Sequence, residues 1–140
     1  MVDLEIVKSR IISIQQMLEV LRRHQKASIQ DFLSSRDAQL TVERALFLAI
    51  QSLLDLGSHI LADKGIQDIA DYRDVILKLG QTKTLPPFFA ESIADMAGFR
   101  NRLIHEYEDM DPKRIYEFLQ NRLGDFEEFM KYIRDHFRLT

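Results

Sequence analysis

Cysteine is absent from this 140-residue chain, which contains only five glycines and three prolines. Without cysteine the protein has no disulfides, no thiolate nucleophile and no cysteine-ligated zinc, so any chemistry must come from histidine, arginine, tyrosine or carboxylates. A chain without disulfides suits a reducing compartment, and we therefore expect a cytoplasmic location.

Long hydrophobic runs and a cationic leader are also missing. The unbroken apolar stretches are far shorter than the roughly 20 residues that span a bilayer. The N-terminus carries Asp3 and Glu5, where a signal peptide would be positively charged. These features predict a soluble protein without a membrane partner. The length and the 46% hydrophobic content suit one core, so we expect a single domain over residues 1–140.

An excess of positive charge is the third absence. The formal net charge is -3 and the pI is about 5.8, which is the wrong sign for a protein that holds nucleic acid through its overall field. If RNA is bound, the binding must be local or must use a basic patch that forms on assembly.

Helical periodicity dominates what is present, because the few glycines and prolines lie where a 3.6-residue period breaks. The chain therefore predicts an all-α fold. One apolar seam on the first helix comprises Leu4, Val7, Ile11, Ile14, Leu18 and Leu21. A short turn capped by Ser28 follows. A long second helix, capped by Ser35 or Asp37, is expected to contain Leu40, Leu46, Ile50, Leu53, Leu54 and Ile60 and to end at Gly65.

Three more helices complete the prediction. The third carries Ile69, Tyr72, Ile76 and Leu79 and ends at Gly80. The fourth begins at Pro86 and Pro87, which suit a first helical turn, and runs to His105. The last begins at Asp111-Pro112, and its apolar face extends to Phe137. Long helices joined by short links favour an up-and-down bundle of four to five helices.

The candidate chemistry lies near the end of the predicted fourth helix, where Arg100, Asn101, His105 and Tyr107 fall within eight positions. RNA cleavage without a metal needs a base for the ribose 2′-OH, an acid for the leaving oxygen and a cation for the phosphorane. Histidine can act as acid or base near neutral pH, and arginine presents a planar donor fork to phosphate. Asn101 would orient the phosphate or the imidazole.

The helical spacing constrains how these groups can converge. At 3.6 residues per turn, positions 100 and 107 lie nearly above one another, whereas His105 lies about 140° around the axis from Arg100. One straight helix cannot direct all three side chains to one point. Either the helix unwinds near His105, or the same segment of a second subunit completes the site across a two-fold axis.

A purely structural role explains the same residues differently. Arg100 and His105 near a helix C-terminus would be favoured by the helix dipole by about 0.3 to 1 kcal/mol, and Tyr107 would be a buried ring with a satisfied hydroxyl. The residue types alone favour this structural interpretation, because an arginine and a histidine five positions apart are common.

Two other groups of polar side chains are candidates for a functional role. Asp55, His59 and Asp63 recur every four residues, a spacing that suits metal ligands, but a solvated helix face explains it better. Lys113 and Arg114 could join Arg102 in a phosphate-binding patch or could be the solvent side of the last helix. The aromatic stripe from Phe118 to Phe137 keeps the helical period and is predicted to be core.

The stretch FRNRLIHEYEDMD, followed by a proline-led helix, resembles the motif of HepT-like HEPN proteins. The resemblance extends over the whole chain in length and helix order. It implies a HEPN-type bundle, a catalytic pair of Arg100 and His105, a polar companion at Asn101, and a tyrosine at 107 that a partner nucleotidyltransferase modifies with AMP in some members. It also implies a toxin–antitoxin pair whose antitoxin is a minimal nucleotidyltransferase.

Two functions of different classes follow. The first is an endoribonuclease toxin, a homodimer that cleaves RNA at a composite interface site without a metal or cofactor. The second is a non-catalytic helical module that docks a nucleotidyltransferase or a nucleotide. The acidic pI favours the second function, whereas the intact pair of Arg100 and His105 favours the first.

Overall fold

The computed structural model describes residues 2–105 and 110–139, and within these ranges all regular structure is helical, which confirms the all-α prediction. Eight helices occur in the described residues: α1 (Leu4–Gln25), α2 (Ile29–Leu33), α3 (Arg36–Asp63), α4 (Tyr72–Gln81), α5 (Pro87–Ile93), α6 (Met96–His105), α7 (Pro112–Asn121) and α8 (Leu123–Phe137).

Helices α1 and α3 form the centre of the bundle and run in opposite directions. The start of α1 lies beside the end of α3, where the Asp3 N–H donates to His59 Nε2 over 3.3 Å. The α1 seam is buried from Val7 to Leu21, but Leu4 is 41% exposed. On α3, Leu40 is 49% exposed, unlike the other apolar residues that predicted this helix. Leu4 is the first residue of α1, and Leu40 lies on the solvent-facing side of α3 with Asp37, Thr41 and Arg44, which are also exposed.

Local capping sets most of the helix boundaries as predicted. Ser28 accepts from the Asp31 N–H at the start of α2. Ser35, rather than Asp37, caps α3 by accepting from the Ala38 N–H. After α3, Gly65 adopts a φ of +77°, which is the left-handed conformation that favours glycine at a helix end.

Gly80 plays a different part from the predicted helix stop, because it lies inside α4. A β-carbon at this position would be 2.8 Å from the Ala90 Cβ and 3.3 Å from the Pro87 Cα, so the glycine permits the close crossing of α4 and α5. Helix α4 begins at Tyr72, after the predicted Ile69, because Asp71 caps it by accepting from the Asp74 N–H.

Each of the two helices predicted to end at His105 and at Phe137 is interrupted near its middle. The first breaks at residues 94–95 and the second at Arg122, which raises the number of helices above the predicted four to five. Arg122 joins the two breaks by donating from Nη1 and Nη2 to the Asp95 carboxylate at 2.8 and 2.9 Å. Its Nε also donates to Asp125 at 2.6 Å. These hydrogen bonds lower the pKa of Asp95 and raise that of Arg122.

One described helix, α3, is long and apolar enough to cross a membrane by length and composition alone. Just over half of its most apolar window, 56%, is buried inside the protein. Its apolar side chains pack against α1, α4, α6 and α7, which is the arrangement of a core helix in a bundle.

Candidate active site

Helix α6 places Arg100, Asn101 and His105 away from its buried face. Its inner face buries Met96, Ala97, Phe99 and Leu103. The Phe99 ring stacks on that of Phe118 from α7, with centroids 4.2 Å apart. Because the buried face is fixed by this packing, the outward directions of Arg100, Asn101 and His105 are set by the helical period.

Arg100 lies against α3 and α4 and is partly buried. Its Nε donates to the Gln51 Oε1 at 2.9 Å. Its guanidinium carbon lies 4.8 Å from the ring centroid of Tyr72 and 5.6 Å from that of Phe47. Such distances are those of cation–π contacts. The side chain is therefore held by this hydrogen bond to α3 and by two aromatic rings, which a role as a simple helix-end charge would not require.

Gln51 continues the network on the side away from Arg100. Its Nε2 donates to the Asp55 Oδ1 at 2.9 Å and, over 3.4 Å, to the Tyr72 hydroxyl. Asp55 and Gln51 are four residues apart on α3 and hence on the same face. Asp55, which the sequence suggested as a metal ligand, thus orients Gln51, the hydrogen-bond partner of Arg100.

The charge of Arg100 is not neutralised within the described part of the chain. No carboxylate of residues 2–105 and 110–139 forms an ion pair with it. Its two anchors other than the rings are both neutral amides, since Nη1 donates to the Asn101 Oδ1 at 2.9 Å. A fixed guanidinium without an anionic partner among these residues is suited to binding an anion from solution.

Asn101 is exposed and borders a surface depression of about 500 Å³, lined by Asp71, Tyr72, Arg73, Asp95, Ala97, Gly98, Asn101 and Arg102. A second depression of about 330 Å³ lies on the other side of Arg102, where Arg114, Glu117 and Asn121 form part of the wall. Arg102 and Arg114 thus share one concave surface. Lys113 is exposed on α7 and is not part of that wall.

His105 is exposed and is the last residue of α6, which remains helical up to that point. Helix α6 therefore does not unwind ahead of His105, which keeps the angular offset of about 140° from Arg100 that helical geometry imposes. Unwinding just beyond His105 would fall on residues 106–109, which lie outside the described residues. Tyr107 lies outside the described residues. The structure brings Arg100 and Asn101 together and directs His105 of the same helix elsewhere.

The alternative metal group does not form. Among the described residues, no three His, Asp or Glu side chains are arranged to hold a metal. Asp55 accepts from Gln51, and the His59 Nε2 accepts from the Asp3 backbone. The C-terminal aromatic stripe is core as predicted at Phe118, Phe126 and Phe129, which are buried, whereas Phe137 at its end is only partly buried.

Three residues of the site were missed by sequence reasoning, namely Phe47, Gln51 and Tyr72. A signal for one of them exists. Gln51 is the single amide in the otherwise apolar stretch from Ala45 to Leu54, apart from the small Ser52. A polar side chain amid core residues, with a carboxylate four positions on, indicates a buried hydrogen-bond network.

Comparison with known proteins adds sequence relationships to this geometry. The model of the family described as Ribonuclease HepT-like matches residues 14–133. The chain is similar to a tRNA nuclease HepT of Aphanizomenon flos-aquae, with 32% identity over 94% of this chain and 89% of the relative. It is also similar to an mRNA nuclease HepT of Shewanella oneidensis, with 24% identity over 75% of this chain and 76% of that protein.

Solved structures support the same fold. A toxin–antitoxin crystal structure with AMP-PNP superposes with a TM-score of 0.85 at 21% identity, covering 94% of this chain and 98% of that chain. A tri-AMPylated Shewanella oneidensis HEPN toxin in complex with its MNT antitoxin gives a TM-score of 0.84 at 22% identity, over 93% and 97% of the two chains.

Proposed function

Because this chain belongs to the HepT-like ribonuclease family, we propose that it is an endoribonuclease toxin whose site contains Arg100, Asn101 and His105. The observation that carries the proposal is the state of Arg100, which is held rigidly by neutral groups and keeps its charge free of any described carboxylate. The relatives named as nucleases act on tRNA and on mRNA, so the proposal extends to RNA as a class and to no particular target.

The chemistry that suits these groups is transfer of the phosphoryl group to the neighbouring hydroxyl. The His105 imidazole accepts the proton of the ribose 2′-OH, and the 2′ oxygen forms a bond to phosphorus while the bond to the 5′ oxygen breaks. The resulting imidazolium returns the proton to the leaving oxygen. Arg100 stabilises the extra negative charge of the phosphorane. The products are a 2′,3′-cyclic phosphate and a 5′-hydroxyl, and no metal takes part.

A homodimer completes the site in this proposal. His105 and Arg100 of one chain diverge on the uninterrupted helix α6, so the Arg100 of one protomer works with the His105 of the other across a two-fold axis. The pairing also brings two copies of Arg100 into one cleft, which concentrates positive charge on a protein of net charge -3.

Binding of the RNA backbone is local. Arg102 and Arg114 line one depression next to α6, and Arg102 lies three residues before His105, hence on the same side of the helix. These arginines are placed to contact phosphates that flank the cleaved bond. Arg122 also lines the depression, but Asp95 and Asp125 engage it, so it forms part of the wall.

We further propose that a nucleotidyltransferase antitoxin silences the enzyme by attaching AMP to Tyr107. The Shewanella oneidensis HEPN toxin has been crystallised in AMPylated form with an MNT antitoxin. An adduct two residues beyond His105 would add a phosphate that competes for Arg100 and a nucleotide that blocks the path of the RNA.

The test is RNA cleavage by purified wild type, His105→Ala and Arg100→Ala, each with and without EDTA. We expect cleavage by wild type to survive EDTA and to fall by about 100-fold or more in both variants, because general acid–base catalysis and charge stabilisation each contribute that much. Helix content by circular dichroism should be unchanged. Wild type that binds the antitoxin but cleaves no RNA would identify a docking module instead, and activity restored only by a divalent ion would refute the metal-free mechanism.

A further inference from the structure

We infer that Gln51 is a positioning residue for the reaction, which orients Arg100 toward the phosphate without neutralising its charge. The inference rests on the proposed function, because it requires Arg100 to act on RNA. The hydrogen bonds of Gln51 support it: the amide oxygen accepts from Arg100, and the amide nitrogen donates to Asp55 and Tyr72.

The orientation of the Gln51 amide follows from its neighbours. Arg100 has only donors, so the atom facing its Nε must be the amide oxygen. An ionised Asp55 has only acceptors, so the atom facing its carboxylate must be the amide nitrogen. A flipped amide would place donor against donor and acceptor against acceptor. Hydrogen bonds therefore run in one direction from Arg100 through Gln51 to Asp55, and each bond polarises the next.

An amide at position 51 has a consequence that a carboxylate would not have. A glutamate could accept from the same Nε, but its negative charge would pair with the guanidinium and compete with the phosphate. Gln51 keeps Asp55 one side chain away from Arg100, so the carboxylate fixes the amide while the cation stays available. The rings of Tyr72 and Phe47 restrict the guanidinium further without adding a formal charge.

The same helix offers a matched structural control. Gln39 lies on α3, is only 6% exposed, and donates to the carbonyl oxygens of Phe32 and Leu33 at 3.1 Å. It thereby fixes α2 against α3, far along the helix from Arg100. Replacing Gln39 removes a buried glutamine from α3 without touching the site, so any general cost of losing such a residue appears in this variant as well.

The first experiment compares Gln51→Ala, Gln51→Glu and Gln39→Ala in RNA cleavage and thermal unfolding. We expect Gln51→Ala to lower kcat by about 10- to 100-fold, the loss associated with one hydrogen bond to a charged group, with KM changed less than threefold. Gln39→Ala should lower Tm and leave kcat within about twofold. Gln51→Glu should cleave no faster than Gln51→Ala, because its carboxylate pairs with Arg100, and its Tm should fall because the same carboxylate faces Asp55. Wild-type kcat in Gln51→Ala, or rescue by Gln51→Glu, would overturn the inference.

The second experiment is a double-mutant cycle with Arg100→Lys, because lysine lacks the Nε–H that Gln51 accepts. Adding Gln51→Ala to Arg100→Lys should lower kcat by less than twofold, whereas adding it to wild type should lower kcat at least tenfold. Losses that multiply would place the effect of Gln51 elsewhere and reject the inference. If Arg100→Lys lies below detection, the comparison of Gln51→Glu with Gln39→Ala decides. Wild-type cleavage by Arg100→Ala would instead reject the proposed function.

Discussion

A composite site makes a quantitative prediction about mixed dimers. On the straight helix α6, Arg100 and His105 are separated by about 7.5 Å along the axis and by about 140° around it. If each site takes Arg100 from one protomer and His105 from the other, the single variants Arg100→Ala and His105→Ala are both inactive as homodimers. A heterodimer of the two has one site that lost both groups and one site that kept both.

The recovered activity can be calculated from symmetry. Equal amounts of the two variants, allowed to exchange subunits, give about half heterodimers, and half of the sites in each heterodimer are intact. The mixture should therefore reach about one quarter of wild-type kcat per protomer, at least tenfold above either homodimer. The double variant Arg100→Ala/His105→Ala mixed with wild type gives heterodimers with no intact site, and serves as the control for subunit exchange.

The assay is initial-rate cleavage of a fluorescent RNA, with two affinity tags to purify the heterodimer after coexpression. The purified heterodimer should show about half of wild-type activity. Activity no greater than that of the homodimers would mean that each site is built within one protomer, or that both histidines are needed at once. The composite arrangement of one Arg100 with one His105 would then be wrong.

Three further predictions concern silencing, packing and pH. Incubation with the antitoxin and ATP should add nucleotide mass to wild type but not to Tyr107→Phe, and an equal increment on both by intact-mass spectrometry would exclude the tyrosine. Gly80→Ala should lower the free energy of unfolding in urea by about 1 to 3 kcal/mol, because its methyl group would lie 2.8 Å from the Ala90 Cβ. The control Gly124→Ala, which has no neighbour within 4 Å, should raise it by up to about 1 kcal/mol. Equal effects of the two variants would refute the packing argument. The Arg122 hydrogen bonds lower the pKa of Asp95 in the folded state. The stabilisation from these bonds is therefore complete above the unfolded-state pKa of about 3.9 and is lost as the pH falls through the lower folded-state pKa. Unfolding measured from pH 6 to pH 2 should therefore show a shallower acid decline in Arg122→Gln than in wild type, and identical slopes would contradict the linkage.

Helix boundaries were predictable where the signal is local. Ser28, Ser35 and Asp111 each cap a helix through a backbone N–H two or three residues away, so the sequence contains both partners of the interaction. Gly65 likewise ends α3 through its own backbone conformation. The breaks at residues 94–95 and at Arg122 could not be predicted in this way. Neither contains a proline, and the ion pair that joins them links residues 27 positions apart.

The candidate site divides along the same line. Arg100, Asn101 and His105 stand out because residue types and spacing within one segment suggest chemistry, and the resemblance to the HepT-like family rests on the same segment. Gln51 could not be assigned from spacing, because 49 positions separate it from Arg100. Only the packing of α6 on α3 brings the two together. Their contact is a property of tertiary structure, and no periodicity encodes it.

The ion pair between Arg122 and Asp95 also acts as a noncovalent crosslink around the signature segment. It links residues 27 positions apart on either side of a segment that contains all of α6 and α7. We expect the two helices to open together as one unit of partial unfolding. Opening of that unit, measured by amide hydrogen exchange, would expose α6 and α7 together and withdraw Arg100 from Gln51 in the same event. We expect this opening to separate the proposed site residues while the α1–α3 pair at the centre of the bundle stays closed.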